Sequence, residues 1–195
     1  DYASRAFQDP WDMNQRTDLG WFTFGVDSPQ SNLTAISVAG GLFSATSVNT
    51  DPNFWLLDTG NPYAVNTGKT GKRFPIVSSK YKRLVLRMSL NGAGLTTSSP
   101  AMAQILWSNH TIFAGNVPPG GINPSNAFLT WPGSWIYSVN LDTLGTAAGV
   151  SWSSANVDSL RVGHVNMASI DMQLDWARLV EDTPANYRNV QWTGS

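Results

Sequence analysis

The sequence predicts an all-β domain, a sandwich or a barrel, on three observations. Short runs of strand-forming residues bounded by Gly, Pro, Asn and Ser recur along the whole chain. One of them, Lys82 to Leu90, alternates with a strict period of two. No stretch of a dozen residues holds apolar spacing of three and four without meeting a Gly, a Pro or a Ser/Asn cluster, which leaves little room for helices.

The predicted strands follow in order. Leu19 to Phe24 comes first, and its Trp21-Phe22-Thr23-Phe24 is dense enough in large apolar groups to be core. Ala35 to Val38 and Phe54 to Leu57 are short runs between turn formers. In Leu84 to Leu90 the period places Leu84, Leu86, Met88 and Leu90 on one face and Arg83, Val85, Arg87 and Ser89 on the other, so the first face is core. Met102 to Trp107 is next. Trp135 to Leu141 alternates Trp135, Tyr137, Val139 and Leu141, which assigns Trp135 to the core, and Leu141 to Gly145 suits a single helical turn. Leu160 to Val165 and Ile170 to Leu179 close the series, with Trp176 expected to be half-buried.

Two long connections stand out. Gly60 to Pro75 carries Lys69, Lys72 and Arg73, the densest positive cluster, and Gly115 to Gly133 carries Pro118, Pro119, Pro124 and Pro132. Connections of this length in a compact β domain are usually functional or mobile. No internal repeat or linker divides the 195 residues, so a single domain over 1–195 is expected.

Composition narrows the function. Charged residues make up 13% of the chain, against roughly 25% in ordinary soluble domains, a profile that suits an extracellular or cell-surface β protein. A formal net charge of −1 supplies no attraction for nucleic acid or anionic membrane. There are no cysteines, so disulfides and thiolate chemistry are excluded. No apolar run reaches the roughly 20 residues that span a bilayer, so membrane insertion is not expected. No leader pattern is visible at Asp1, which is expected of a processed chain or an excised module, with secretion inferred.

Nine tryptophans require an account, because a buried indole N–H needs a partner and an exposed ring offers a flat apolar face. Aromatics flanking loops beside Asn and Ser combine that face with orienting hydrogen bonds, the makeup of a small-ligand site. Trp55, Tyr63, Trp107, Trp131 and Trp152 fit this description and are the candidate ligand platforms, with plugging of the sandwich ends as the alternative for each. Arg87 and Gln104, on central strands, are candidates for hydroxyl contacts if their face is the concave one.

The order of motifs carries a resemblance. The chain opens on Phe7-Gln8-Asp9-Pro10-Trp11-Asp12-Met13 and continues through Tyr81-Lys82-Arg83-Leu84-Val85-Leu86-Arg87-Met88, Gln104-Ile105-Leu106-Trp107 and Trp135-Ile136-Tyr137-Ser138-Val139-Asn140-Leu141-Asp142. It closes with Val157-Asp158-Ser159-Leu160-Arg161-Val162 and Leu174-Asp175-Trp176-Ala177-Arg178-Leu179. This succession resembles the jelly-roll, galactose-binding-like modules that bacteria attach to polysaccharide-degrading enzymes and surface proteins. The resemblance implies a jelly-roll β-sandwich of two antiparallel sheets and noncatalytic polysaccharide or oligosaccharide binding. It also implies a structural calcium ion where the first and last strands meet, a role it places on Asp9 or Asp12 together with Asp175. One carboxylate of the usual closing pair is missing here, so backbone carbonyls or water would have to complete the six to eight oxygens calcium takes.

Catalysis lacks its visible prerequisites. The two histidines, His110 and His164, have no metal-ligand spacing, and neither a Gly-x-Ser-x-Gly elbow nor a phosphate-cradling loop is present. Glycoside hydrolysis needs only two carboxylates from distant strands, and Asp51, Asp58, Asp142, Asp158 and Glu181 are available for it, but nothing marks an acid and base among them. A lyase with Lys69, Lys72 and Arg73 against a uronate meets the same objection. The competing expectation is structural: a surface-layer, filament or adhesin subunit pairing with like subunits or other domains, with Asp1 to Ala6 as a free arm for strand exchange.

Overall fold

The structure is a computed structural model and describes residues 1–20, 32–58, 68–108 and 123–183. One sheet contains β1 (Leu33–Ala39), β2 (Leu42–Ser47), β4 (Tyr81–Asn91), β8 (Gly133–Asn140) and β10 (Asp171–Glu181), in the order β1-β2-β10-β4-β8. The other contains β3 (Phe54–Leu57), β5 (Ala101–Ser108), β6 (Asn123–Pro124) and β9 (Ser159–Gly163), in the order β3-β9-β5-β6, with β7 (Phe128–Thr130) also paired to β5. Every strand pair is antiparallel. The chain passes from one sheet to the other between β2 and β3, β3 and β4, β4 and β5, and again at β7–β8, β8–β9 and β9–β10. That alternation makes the sandwich a jelly roll.

The alternation in β4 has the consequence the sequence implies. Leu84, Leu86, Met88 and Leu90 are buried and pair through the ladders with Leu179, Ala177 and Leu174 of β10 and with Val139 and Tyr137 of β8. Phe43 of β2 meets Phe54 of β3 edge to face at 5.2 Å between ring centroids, which ties the two sheets together across the core. The turn expected after Leu141 is a short helix, α2 (Leu141–Leu144), capped by the Asn140 side chain, which accepts from Asp142 N and Thr143 N.

Three expectations are corrected. Leu19 and Gly20 lie outside any strand, and the rest of that expected strand lies outside the described residues. The N-terminus is not a free arm: Tyr2–Phe7 forms a helix, α1, whose cap is the Asp1 carboxylate accepting from Ser4 N. Tyr2 and Ala3 are buried in the main core, and Tyr2 packs on Phe7, Trp11 and Tyr81. A segment already engaged in this way has no open edge to exchange. Trp135, assigned to the core, is 51% exposed. Its register opposite Met88 is the inward one, but Trp135 lies near the start of β8, the last strand of its sheet.

The N-terminal segment meets the last described strand. Ala177 N donates to Trp11 O at 2.8 Å, so Trp11 extends the flank of β10 that β2 covers from Asp171 to Leu174. Between these two pairings β10 bulges, with Leu174 opposite Met88 and Trp176 opposite Arg87, which leaves Asp175 as the extra residue. Among the described residues no helix is long and apolar enough to cross a membrane.

Candidate functional site

The acidic residues assemble differently from the sequence expectation. Asp9 and Asp12 cluster with Asp18 and not with Asp175, with ligand atoms of the three within 4.8 Å of one another. Asp175 belongs instead to the sheet face, paired to Arg87. Asp18 occupies a 3-10 turn, Arg16–Asp18, where Gln15 N donates to its Oδ2 at 3.2 Å. Burial pushes the Asp18 carboxyl up to about 6, and nearby Asp9 and Asp12 push the same way against the Gln15 hydrogen bond and Lys69. Lys69 Nζ donates to Asp9 Oδ2, lies 3.9 Å from Asp18 Oδ1, and is 3.5 Å from both the Thr17 carbonyl and the Thr17 hydroxyl. Gln15 Nε2 also donates to Asp9 Oδ2. The calcium ion implied by the resemblance does not fit this arrangement, because an ammonium already stands among the oxygens that would hold it.

The candidate aromatics separate into core and surface. Trp107 and Trp152 are buried and pack on each other edge to face, 5.5 Å between centroids at 82°. Trp152 Nε1 donates to Tyr81 O at 2.8 Å. They are the plugs of the alternative reading, not sugar platforms. Trp131 is half-buried against the core, and its backbone N and O both bond the Tyr137 hydroxyl. Tyr63 lies outside the described residues. Trp135 offers the more open ring, and its indole N–H is satisfied by Pro132 O at 2.8 Å, so only its face is free to bind. Trp176 is half-buried as expected, with the Arg178 guanidinium 5.3 Å from its ring.

Arg87 and Gln104 prove to lie on opposite faces of the sandwich. Arg87 is on the outer face of the β1-β2-β10-β4-β8 sheet, in register with Trp176 and Ile136. Gln104 is on the outer face of the other sheet, because β5 alternates Ala101, Ala103, Ile105 and Trp107 inward with Met102, Gln104 and Leu106 outward. There a groove of about 190 Å³ runs over Gly163, lined by Met102, Leu106, Gln104, Asp51 and Asn166 among others.

The groove is built by register. Gly163 opposes Gln104 and, lacking a side chain, leaves the sheet surface low at that point. Gln104 Nε2 donates to Ser125 O at 2.9 Å, which fixes the amide and leaves its oxygen available. Asn166 Oδ1 accepts from Met102 N at 2.8 Å, which leaves its amide N–H groups available. One strand over, Arg161 lies beside Leu106 and places its guanidinium 4.4 Å from the centroid of the Trp55 ring. Burial lowers the Arg161 pKa to about 10, and the Asp51 carboxylate opposes that shift. Trp55 is buried under this cation, so it supports Arg161 and is not an open platform.

Of the groove residues, Gln104 alone was a sequence candidate for hydroxyl contacts. Met102 and Leu106 follow from the same alternation that exposes Gln104. Gly163 and Asn166 come from the pairing of β9 with β5, which no local pattern reveals.

No protein-family model and no curated protein matches the chain. Among solved structures it is similar to family 29 carbohydrate-binding modules. One is a mutant complexed with cellulohexaose, with 10% identity, a TM-score of 0.43, and coverage of 82% of this chain and 85% of that one. Another is a mutant complexed with mannohexaose, with the same identity, TM-score and coverage, 10%, 0.43, 82% and 85%. A third mutant gives 10% identity and a TM-score of 0.44 over 89% of this chain and 93% of that one.

Proposed function

We propose that the chain is a noncatalytic carbohydrate-binding module of a secreted or surface protein, and that its oligosaccharide lies in the groove over Gly163. The observation that carries this reading is the composition of the groove. Met102, Leu106 and the bare backbone at Gly163 give an apolar floor for the C–H face of a pyranose, while Asp51, Gln104 and Asn166 present acceptors and donors for its hydroxyls. A groove of about 190 Å³ suits a short stretch of a sugar chain, with affinity in the range of about a micromolar to a millimolar.

Noncatalytic binding is favoured because, among the described residues, Asp51 is the one carboxylate lining the groove, and hydrolysis of a glycoside by the common route needs two. Calorimetric titration with cellulohexaose, mannohexaose and a uronate oligosaccharide tests the reading, with product analysis of the same mixtures. Saturable heat without cleavage, lost in Gln104→Ala, is the expected result. Heat that survives Gln104→Ala and Asn166→Ala together, or release of shorter sugars, would overturn it.

A further inference from the structure

The oxygen cage at the N-terminal end of the sandwich has a cation of its own. Four oxygens, all from residues 9 to 18, surround the Lys69 ammonium: Asp9 Oδ2, Asp18 Oδ1, the Thr17 carbonyl and the Thr17 hydroxyl. The segment that supplies them is anchored to the last strand two residues beyond Asp9, where Trp11 pairs with Ala177. Lys69 comes from a distant part of the chain and is 19% exposed. It therefore joins a separate part of the chain to the place where the N-terminal segment meets β10.

We propose that Lys69 is the resident cation of this cage, so that the domain is closed without calcium, and that removing the ammonium turns the same oxygens into a divalent-cation site. The geometry supports both halves. A divalent ion in contact with Asp9 and Asp18 would lie within a few ångströms of an ammonium bonded to the same carboxylates, and like charges that close repel strongly. Asp9 Oδ2 is further committed to Gln15 Nε2, and Asp18 Oδ2 to Gln15 N. Without Lys69, three carboxylates within 4.8 Å of one another would face each other with no cation between them, and Asp18 Oδ1 is buried and accepts no hydrogen bond. Those oxygens, the Thr17 carbonyl and water make a hard donor set suited to calcium.

The test compares the intact chain with Lys69→Met, which keeps the length of the side chain and removes its charge. Thermal unfolding is followed in chelator and in millimolar calcium, and terbium luminescence sensitised through Trp11 reports ion binding directly. The expected result is a wild-type midpoint that is the same in chelator and calcium, with no terbium signal. Lys69→Met should melt several degrees lower in chelator, recover in calcium, and sensitise terbium, while Lys69→Arg should behave as wild type. A wild-type midpoint raised by calcium, or a wild-type terbium signal lost in Asp18→Asn, overturns the proposal. A folded Lys69→Met that responds to neither ion overturns it too. If Lys69→Met does not fold in chelator, its folding on addition of calcium supports the proposal, and failure to fold in calcium overturns it.

Discussion

Arg87 Nη1 lies 2.9 Å from Asp175 Oδ2, across β4 and β10 at the point where β10 bulges. The bulge turns Asp175 out of the regular alternation and hands it to a cation on the neighbouring strand, away from the carboxylates at Asp9, Asp12 and Asp18. With side chains 47% and 38% exposed, the pair is open to water and screened by salt. Arg87→Ala and Asp175→Ala are each expected to cost less than about 1 kcal/mol in urea unfolding. A loss beyond about 2 kcal/mol would mean that Asp175 holds something more than this surface contact.

Trp107 is a different case, because it is fully buried against Trp152 at the heart of the second sheet. Trp107→Ala removes a large side chain from a packed interior and leaves a cavity, which costs about 3–5 kcal/mol. Sugar binding measured at a temperature where the variant remains folded should be unchanged. Weaker binding by a fully folded Trp107→Ala would restore it as a ligand contact.

How far the sequence reveals these roles depends on what a local pattern encodes. The period of two in β4 identifies which side chains share a face, and the inward set of that strand is as read. It does not say how far the opposite sheet extends. Trp135 has the inward register and is half-exposed on an edge strand, whereas Trp152 stands among serines and is buried, where a 3-10 turn, Trp152–Ser154, places it. β2 went unrecognised because Leu42-Phe43-Ser44-Ala45-Thr46-Ser47 alternates large and small groups with few of the branched residues that mark strands. The six residues of α1 are too few for a helical period, although the Asp1 cap is a visible start signal. The cage and the groove both join residues far apart in sequence, and no single segment specifies either one.

Asp18 gives the stability a pH dependence of definite sign. Its folded pKa, about 6, stands above the ordinary 3.8, so between those values the native state holds a proton that the unfolded chain has lost. Stability contributed by this group is therefore present in acid and falls as pH rises from about 4 to about 6, by up to about 3 kcal/mol. The groups facing it are Asp9, Asp12 and Lys69. Asp18→Asn should flatten that part of a stability profile measured by urea at a series of pH values, and an unchanged slope would contradict the assignment.

His164 acts in the opposite direction. It is wholly buried, its ring lies 5.9 Å from that of Phe54, and neither ring nitrogen has a hydrogen-bond partner. Burial lowers its pKa from 6.5 to about 3, so the imidazole is neutral in the native state while the unfolded chain takes up a proton as pH falls below 6.5. The stability is complete above pH 6.5 and declines toward about pH 3, by up to about 4–5 kcal/mol. His164→Phe, which cannot be protonated, should remove this loss and expose the Asp18 slope of the other sign. An acid limb that survives the substitution would have to come from other groups.

Gly163 offers a test that separates the groove from the fold. A Cβ built there would lie 3.6 Å from Gln104 O and from Leu106 Cδ1 and 3.7 Å from Pro52 O, all ordinary contacts. The backbone is that of a strand, where a β-branched residue is better accommodated than glycine. Gly163→Val should therefore leave stability within about 1 kcal/mol of wild type, because its Cβ meets only ordinary contacts and the branched side chain suits a strand. Its methyl groups would stand in the low point of the groove, between Gln104 and Asn166, where a sugar ring would rest. Oligosaccharide affinity should fall at least tenfold in calorimetric titration while the unfolding midpoint in urea stays close to wild type. Wild-type affinity in a folded Gly163→Val would place the ligand elsewhere on the surface, with the half-exposed face of Trp135 as the next position to substitute.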